Sequence, residues 1–323
     1  MALAMQSSSR IRVVRYAAHC KAEWDGFVAR ARNGYFIFKR DYMDYHADRF
    51  EDCSLLFYCD GDLVGILPAN SRDGGLHSHQ GLTYGGMLFG MDMTAAIMLD
   101  CFQALIGFMR EAGLQHLVYK PIPYVFWTQP SQEDLYALTL NGAVLTRRDL
   151  SSALFIEGGL KYTKGKKSNI SRARRNSLEV RLSQDYATFI PMLATILETR
   201  HGVTPAHSVA EMQLLSSRFP EQILLYGAFQ GETMLAGCVV YDNKPVFHTQ
   251  YMASTPEGKT IGALDFLLDH LLTGPYAGHR FLSFGVSTID QGRTLNYGLI
   301  ESKEAFGARG LVHDWYELSV VPQ

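Results

Sequence analysis

The sequence lacks the signatures on which the commonest enzyme chemistries depend. Its five cysteines, Cys20, Cys53, Cys59, Cys101 and Cys238, include no CxxC pair, which excludes a zinc knuckle and a dithiol redox motif. An odd number of cysteines in so long a chain fits a reducing, cytoplasmic compartment better than a disulfide framework. No HExxH, GxSxG or GxGxxG occurs, and no metal is expected. Gly159 and Gly165-Lys166 approach a Walker loop, but five residues separate the glycines and Lys167 stands where Ser or Thr is required. Long apolar runs are missing as well. The most apolar stretch, Thr94 to Met109, is sixteen residues and carries Asp100 and Gln103, too short and too polar to cross a bilayer. Met1 to Ser9 has neither a basic n-region nor an apolar h-region, so it does not read as a signal peptide.

An excess of one charge is absent too, with 30 Lys and Arg against 32 Asp and Glu. That balance hides a local imbalance. Residues Lys161 to Arg175 carry seven basic side chains and no acid, which leaves the remainder at a net charge of -9. With 323 residues, 47% of them apolar, the chain suits two domains with a core each.

The order of elements repeats. Ser54 to Tyr58 and Leu63 to Pro68 flank the turn Asp60-Gly61-Asp62. A Gly-rich stretch from Gly81 to Gly90 follows, then a helix from Thr94 to Ala112, a strand His116 to Lys120, a helix Pro130 to Leu140 and a strand Ser152 to Ile156. The second half runs through strands Ile223 to Phe229, Met234 to Tyr241 and Val246 to Ala253. A helix Ile261 to Leu272, a strand Phe281 to Gly285, a helix Asn296 to Phe306 and a strand Leu311 to Val320 complete it. Helical segments Lys21 to Arg32, Tyr186 to Arg200 and Ser208 to Phe219 open the two halves. Equivalent elements are offset by 165 to 168 residues, as in Ser54 to Gln222 and His116 to Phe281, which indicates an internal duplication. The expected fold class is α/β (α+β), two fused units each with a mixed sheet flanked by helices. The expected boundaries are an N-terminal unit 10–157, a basic linker 158–176 and a C-terminal unit 177–323.

Chemistry concentrates around Val246 to Ala253. Strict alternation puts His248 and Gln250 on one face and Thr249 and Tyr251 on the other. Ser254 to Ala263 then leads into a helix, where Gly258, Lys259, Thr260 and Gly262 offer either a phosphate-binding turn or an ordinary strand-to-helix connection. A histidine in an apolar strand is a catalyst or a hydrogen-bonded core residue. In the first half, His77 to Gly86, with His79, Gln80 and Tyr84, is a backbone bent toward a ligand or a surface loop. Lys120-Pro121-Ile122-Pro123-Tyr124 is a stiff turn carrying one cation. Asn296, Leu299, Ile300 and Lys303 share a helix face at i, i+3, i+4 and i+7, which places Lys303 beneath a Gly-bearing strand end or on an exposed surface.

These residues resemble a known family. Ser171-Arg172-Ala173-Arg174-Arg175 before the second unit and the closing FG-x-S, GL and KExFG pattern from Phe284 to Gly307 are similar to a FemAB-like member of the GNAT superfamily. Arg40 to His46, Ser78 to Gly86, Lys120-Pro121, Pro130 to Leu138 and His248 to Tyr251 resemble a bacterial subgroup associated with surface-glycan, including O-antigen, biosynthesis. That subgroup includes N-acyltransferases acting on nucleotide-linked amino sugars. The resemblance implies two fused GNAT-type units and an acyl-CoA co-substrate, acetyl-CoA or a short hydroxyacyl-CoA. It also implies that Gln250 and Tyr251 meet the pantetheine arm and that Gly258 to Gly262 receive the pyrophosphate. The sequence departs from the family's R/Q-x-x-G-x-G/A, since Lys259-Thr260-Ile261-Gly262 is followed by Leu264 at the final position.

A sugar amine must lose a proton before it attacks the thioester, and the departing thiolate must be neutralised. His248 is the expected general base. Tyr251 on the opposite face cannot meet the same thioester unless the strand is bulged, so Tyr84 is the expected partner. His79, Gln80, Lys120, Asn296, Lys303 and Arg174 are expected to contact substrate, in a cleft between the units. No nucleic acid and no membrane span are expected as partners. Two other functions fit parts of the sequence: a Fem-type transferase using charged tRNA, suggested by the basic island, and a non-catalytic carbohydrate-binding protein on decayed GNAT units.

Overall fold

The computed structural model describes residues 10–320. Met1 to Ser9, read above for a leader, and the last three residues of the expected C-terminal unit lie outside them. The described chain forms two compact units, residues 10–148 with 313–320, and residues 149–312.

In unit 1, β1 (Ile11–Arg15) precedes α1 (Lys21–Arg30), followed by the hairpin β2 (Leu55–Cys59) and β3 (Asp62–Leu67). The turn has Asp60 and Gly61 at positive φ, as its sequence demands. A second hairpin, β4 (Asn70–Arg72) and β5 (Gly75–His77), precedes the Gly-rich stretch, where no element was expected. α2 (Ala95–Glu111) buries Met98, Cys101, Phe102, Leu105, Ile106 and Met109, a 3.6-residue stripe, and its N-cap Thr94 accepts from Ile97 N at 3.3 Å. β6 (His116–Tyr119), α3 (Glu133–Leu140) and the first part of β7 (Val144–Phe155) follow. β1 pairs antiparallel with β2, β2 with β3, and β5 runs parallel to β6.

Unit 2 begins within β7 and continues with α4 (Lys164–Arg175), β8 (Glu179–Ser183), α5 (Tyr186–His201) and α6 (Val209–Arg218). A meander of β9 (Ile223–Gln230), β10 (Thr233–Asp242) and β11 (Val246–Ser254) comes next. α7 (Pro256–Ile261) forms within the turn expected before the helix over 261–272, and α8 (Ala263–Thr273) is that helix, set off from α7 by Gly262 at φ +84°. β12 (Phe281–Ser283), α9 (Tyr297–Glu304) and β13 (Arg309–Ser319) close the chain. β8 to β11 are consecutive antiparallel neighbours, and β11 runs parallel to β12. The duplication is therefore visible in pairing as well as order, since β1–β2–β3 matches β8–β9–β10 and β5–β6 matches β11–β12.

The compact units do not follow the boundaries expected from sequence. Tyr316 to Ser319 of the last strand pair with His116 to Tyr119 in unit 1, whereas Ala153 to Phe155 pair with β12 in unit 2. Each unit thus takes its closing strand from the other repeat. The segment expected as a linker is α4, an element of unit 2 that packs on α8.

Each unit has its own apolar core. Phe57, Phe89, Phe102 and Tyr119 fill the first, and Cys238, Phe247, Leu267, Leu271 and Tyr276 the second. All five cysteines are free and buried. No helix among the described residues is long and apolar enough to cross a membrane.

Candidate active site

β11 and β12 pair only from Val246↔Phe281 to His248↔Ser283, after which β11 continues to Ser254 paired with β10 on its other side. A cavity of about 560 Å³ lies beyond that parting, lined by Met252, Phe284, Asn296, Ser302, Lys303 and Phe306 among others. A smaller one of about 200 Å³, bordered by Lys259, shares Met252, Leu264 and Asp265 with it.

The strand beside the parting is bulged. Val240 pairs with Thr249 and Val239 with Tyr251, so Gln250 is an extra residue without a partner in that ladder. This changes the faces expected from strict alternation. His248 pairs with Tyr241 and Tyr251 with Val239, two positions apart on β10, so His248 and Tyr251 share a face. His248 is buried, with Nδ1 3.1 Å from Ser283 Oγ. Tyr251 OH lies 2.6 Å from His207 Nδ1, and burial pushes its hydroxyl up to about 12. His207, in the turn before α6, gave no sequence signal because only the bulge brings it a partner. On the other face, Thr249 is 3% exposed and its hydroxyl has no hydrogen-bond partner among the described residues. Sequence reading passed over this residue too.

Lys303 is 4% exposed. Its ammonium donates to Gly285 O, to Val286 O at 3.2 Å and to Ser287 Oγ at 2.7 Å, which ties α9 to the loop after β12. Burial pushes the group down to about 7. Asn296 is the N-cap of α9, accepting from Leu299 N at 3.1 Å. Both expected residues line the larger cavity.

The two glycines of the expected phosphate turn have packing duties. A Cβ at Gly258 would stand 2.3 Å from Leu235 O, and one at Gly262 would stand 2.6 Å from Asn169 O on α4. Gly258 N already donates to Thr255 Oγ1 at 3.0 Å. Thr260 O accepts from Arg172, and Thr260 Oγ1 donates to Pro256 O at 3.1 Å. Both glycines are therefore accounted for by close packing, Gly258 against Leu235 and Gly262 against α4. Lys259 alone of this turn is left exposed and without a partner among the described residues. α4 is fastened by ion pairs from Lys166 to Asp265 at 2.7 Å and from Arg174 to Asp269 at 2.9 Å, so Arg174 is engaged within unit 2.

The remaining expected residues belong to unit 1. Tyr84 is 2% exposed, its ring packed against Phe126 at 4.9 Å and His313 at 5.1 Å. His79 is buried at φ +51°, and burial pushes its imidazole down to about 3. Gln80 is exposed, but its backbone N and side chain are both bonded to Asn70. Lys120 is buried, donating to Leu82 O at 2.7 Å, with burial pushing it down to about 7.

These bonds stitch shut the opening that unit 2 keeps. Ser78 N donates to Val118 O at 2.9 Å, Lys120 N to Ser78 Oγ at 2.7 Å and Gly85 N to Lys120 O at 3.0 Å. A Cβ at Gly85 would lie 1.7 Å from Ser78 O, so the Gly-rich segment is bent to fill its own unit rather than to receive a ligand. Among the described residues no group of three or more His, Cys, Asp or Glu side chains is placed to hold a metal ion.

No family model and no curated protein matches the chain. Solved structures do. A structure described as FemX aligns over 95% of this chain and 97% of its own, with TM-score 0.67 and 11% identity. L-PGS from Bacillus licheniformis aligns over 82% and 83%, with TM-score 0.55 and 12% identity. A tandem GNAT protein from the clavulanic acid biosynthesis pathway aligns over 97% and 99%, with TM-score 0.51 and 12% identity. At such identities the likeness is one of fold, and the fold is that of two fused α/β GNAT-like domains.

Proposed function

We propose that the protein is an N-acyltransferase that moves an acyl group from acyl-CoA to the amino group of a nucleotide-linked amino sugar, with the donor entering unit 2. The observation that carries this reading is the parting of β11 and β12 beside the bulge at Gln250, with the 560 Å³ cavity beyond it. A bulge re-aims the side chains around it and leaves backbone groups outside the ladder, which suits an extended, amide-bearing arm.

The acceptor amine must shed a proton as it attacks, and the thiolate must regain one as it leaves. Lys303 borders the cavity and titrates close to neutrality, so it can exchange a proton there. His248 sits at the last position paired with β12, its imidazole held by Ser283 on the face opposite Thr249, so it is the second candidate base only through an intervening water. The buried Thr249 hydroxyl is free to donate to oxygen charge developing on the acyl carbon. For donor phosphates the exposed ammonium of Lys259, at the rim of the smaller cavity, is the available cation.

A thiol-release screen of acetyl-CoA and short hydroxyacyl-CoAs against nucleotide-linked amino sugars tests the reading. Turnover with at least one pair supports it, and absence of release across the panel sinks it. A pH–rate profile separates the two bases: an acid limb lost in Lys303→Met but kept in His248→Asn assigns the proton to Lys303, and the converse assigns it to His248.

A tRNA-linked donor is the second reading, because Gly258 and Gly262 are accounted for by packing against Leu235 and α4 without any phosphate. Against it, the α4 charges of Lys166 and Arg174 are spent on Asp265 and Asp269. Filter binding with charged tRNA at physiological salt decides between the donors.

A further inference from the structure

A second groove in unit 2, of about 480 Å³, runs between α5 and the end of β11, within the size range of small-molecule sites. Met192, Thr195, Ile196 and Thr199 present one face of α5 to it at helical spacing, and Met234 of β10 forms the floor. The threonines do not make it polar. Thr195 Oγ1 donates to Pro191 O at 3.0 Å and Thr199 Oγ1 to Thr195 O at 2.6 Å, so both hydroxyls are committed to the helix backbone. What these side chains offer the groove is chiefly methyl, methylene and thioether surface. At one end stands Lys259, whose ammonium has no partner among the described residues.

The geometry points to a binding site for a straight-chain fatty monocarboxylate, its hydrocarbon along the α5 face and its carboxylate at Lys259. A largely apolar trough with one cation at its rim among the described residues matches an amphiphile carrying one negative charge. The groove adjoins the smaller cavity and shares Ile196, Ser254 and Lys259 with it. Because Lys259 also borders the smaller cavity, a carboxylate here and a donor phosphate there exclude one another. That consequence alone rests on the function proposed above.

Isothermal titration of the full chain with dodecanoate, below its micellar concentration, tests the site directly. Saturable binding at one equivalent is expected. Ile196→Trp, which fills the trough, should weaken it by at least about tenfold, the loss expected from burying a few fewer methylenes. Lys259→Glu, an exposed substitution that leaves the fold intact, should abolish dodecanoate binding and confer binding of dodecyltrimethylammonium. No binding of dodecanoate overturns the proposal, as does binding that ignores both substitutions. Tighter binding of dodecanoyl-CoA than of dodecanoate, weakened by Ile196→Trp, would overturn it in favour of a donor's acyl chain.

Discussion

His79 and Asp134 give unit 1 two opposed responses to pH. Burial pushes His79 down to about 3, whereas an unfolded imidazole titrates near 6.5. Between those values the unfolded chain holds more protons, so this contribution to stability is lost as pH falls through the window. Asp134 is buried with its carboxylate 2.6 Å from Tyr119 OH, and burial raises it to about 6. Its contribution is present below the ordinary carboxyl value, near 3.8, and is lost as pH rises toward about 6. Asp134→Asn keeps an acceptor for Tyr119, so urea melts should show little difference from wild type below about pH 4 and a gain for the variant near pH 7. An equal effect at both would mean that the carboxyl titrates normally. In the proposed site, Thr249→Val should lower turnover by about tenfold to a hundredfold while leaving the melting temperature within a few degrees. Wild-type turnover would leave its buried hydroxyl without a catalytic part.

At the scale of elements, the sequence showed most helices and strands to within a few residues, because a 3.6-residue period survives in Thr94 to Ala112 and an unbroken apolar run marks Met234 to Tyr241. It failed where an element is defined by its partner. The bulge at Gln250 exists only in register with Val239 and Val240, so the shared face of His248 and Tyr251 could not be read from residues 246–253 alone. The basic stretch read as a linker with charge to spare for substrate because its counter-ions, Asp265 and Asp269, stand 95 to 99 residues further along the chain. Lys303 and Asn296, singled out for their helical spacing beside a Gly-bearing strand end, both line the larger cavity. The glycines at 258 and 262 were noticed for their rarity, yet they serve close packing. Gly258→Ala should therefore destabilise unit 2 by roughly 1–3 kcal/mol, measured by denaturant unfolding. Asp265→Ala should cost about 3 kcal/mol, because it leaves Lys166 without its carboxylate at a site where both side chains are largely covered. An unchanged midpoint for Asp265→Ala would show that α4 is not anchored by this pair.

For the whole molecule, the duplication legible at a 165 to 168 residue offset was real in order and pairing, but it misplaced the ends of both units. A sequence repeat does not say which copy of a strand joins which sheet. Removing residues 313–323 should accordingly loosen unit 1, whose β6 loses its antiparallel neighbour, and spare unit 2. Hydrogen exchange would report this as lost protection at His116 to Tyr119 and retained protection along β9 and β10. The reverse pattern would restore the boundaries expected from sequence.

The exchanged closing strands also set an order for assembly on the ribosome. Residues 149–312 sit inside unit 1 as an insertion does, so every piece of unit 2 has been made before unit 1 receives Tyr316 to Ser319. Domains generally fold as units in the direction of synthesis, the N-terminal one first. Here the N-terminal unit must wait with β6 unpaired on one side while nearly the entire chain emerges, exposing a strand edge that is open to wrong partners for longest. The half of the molecule that is synthesised first is the half that is finished last.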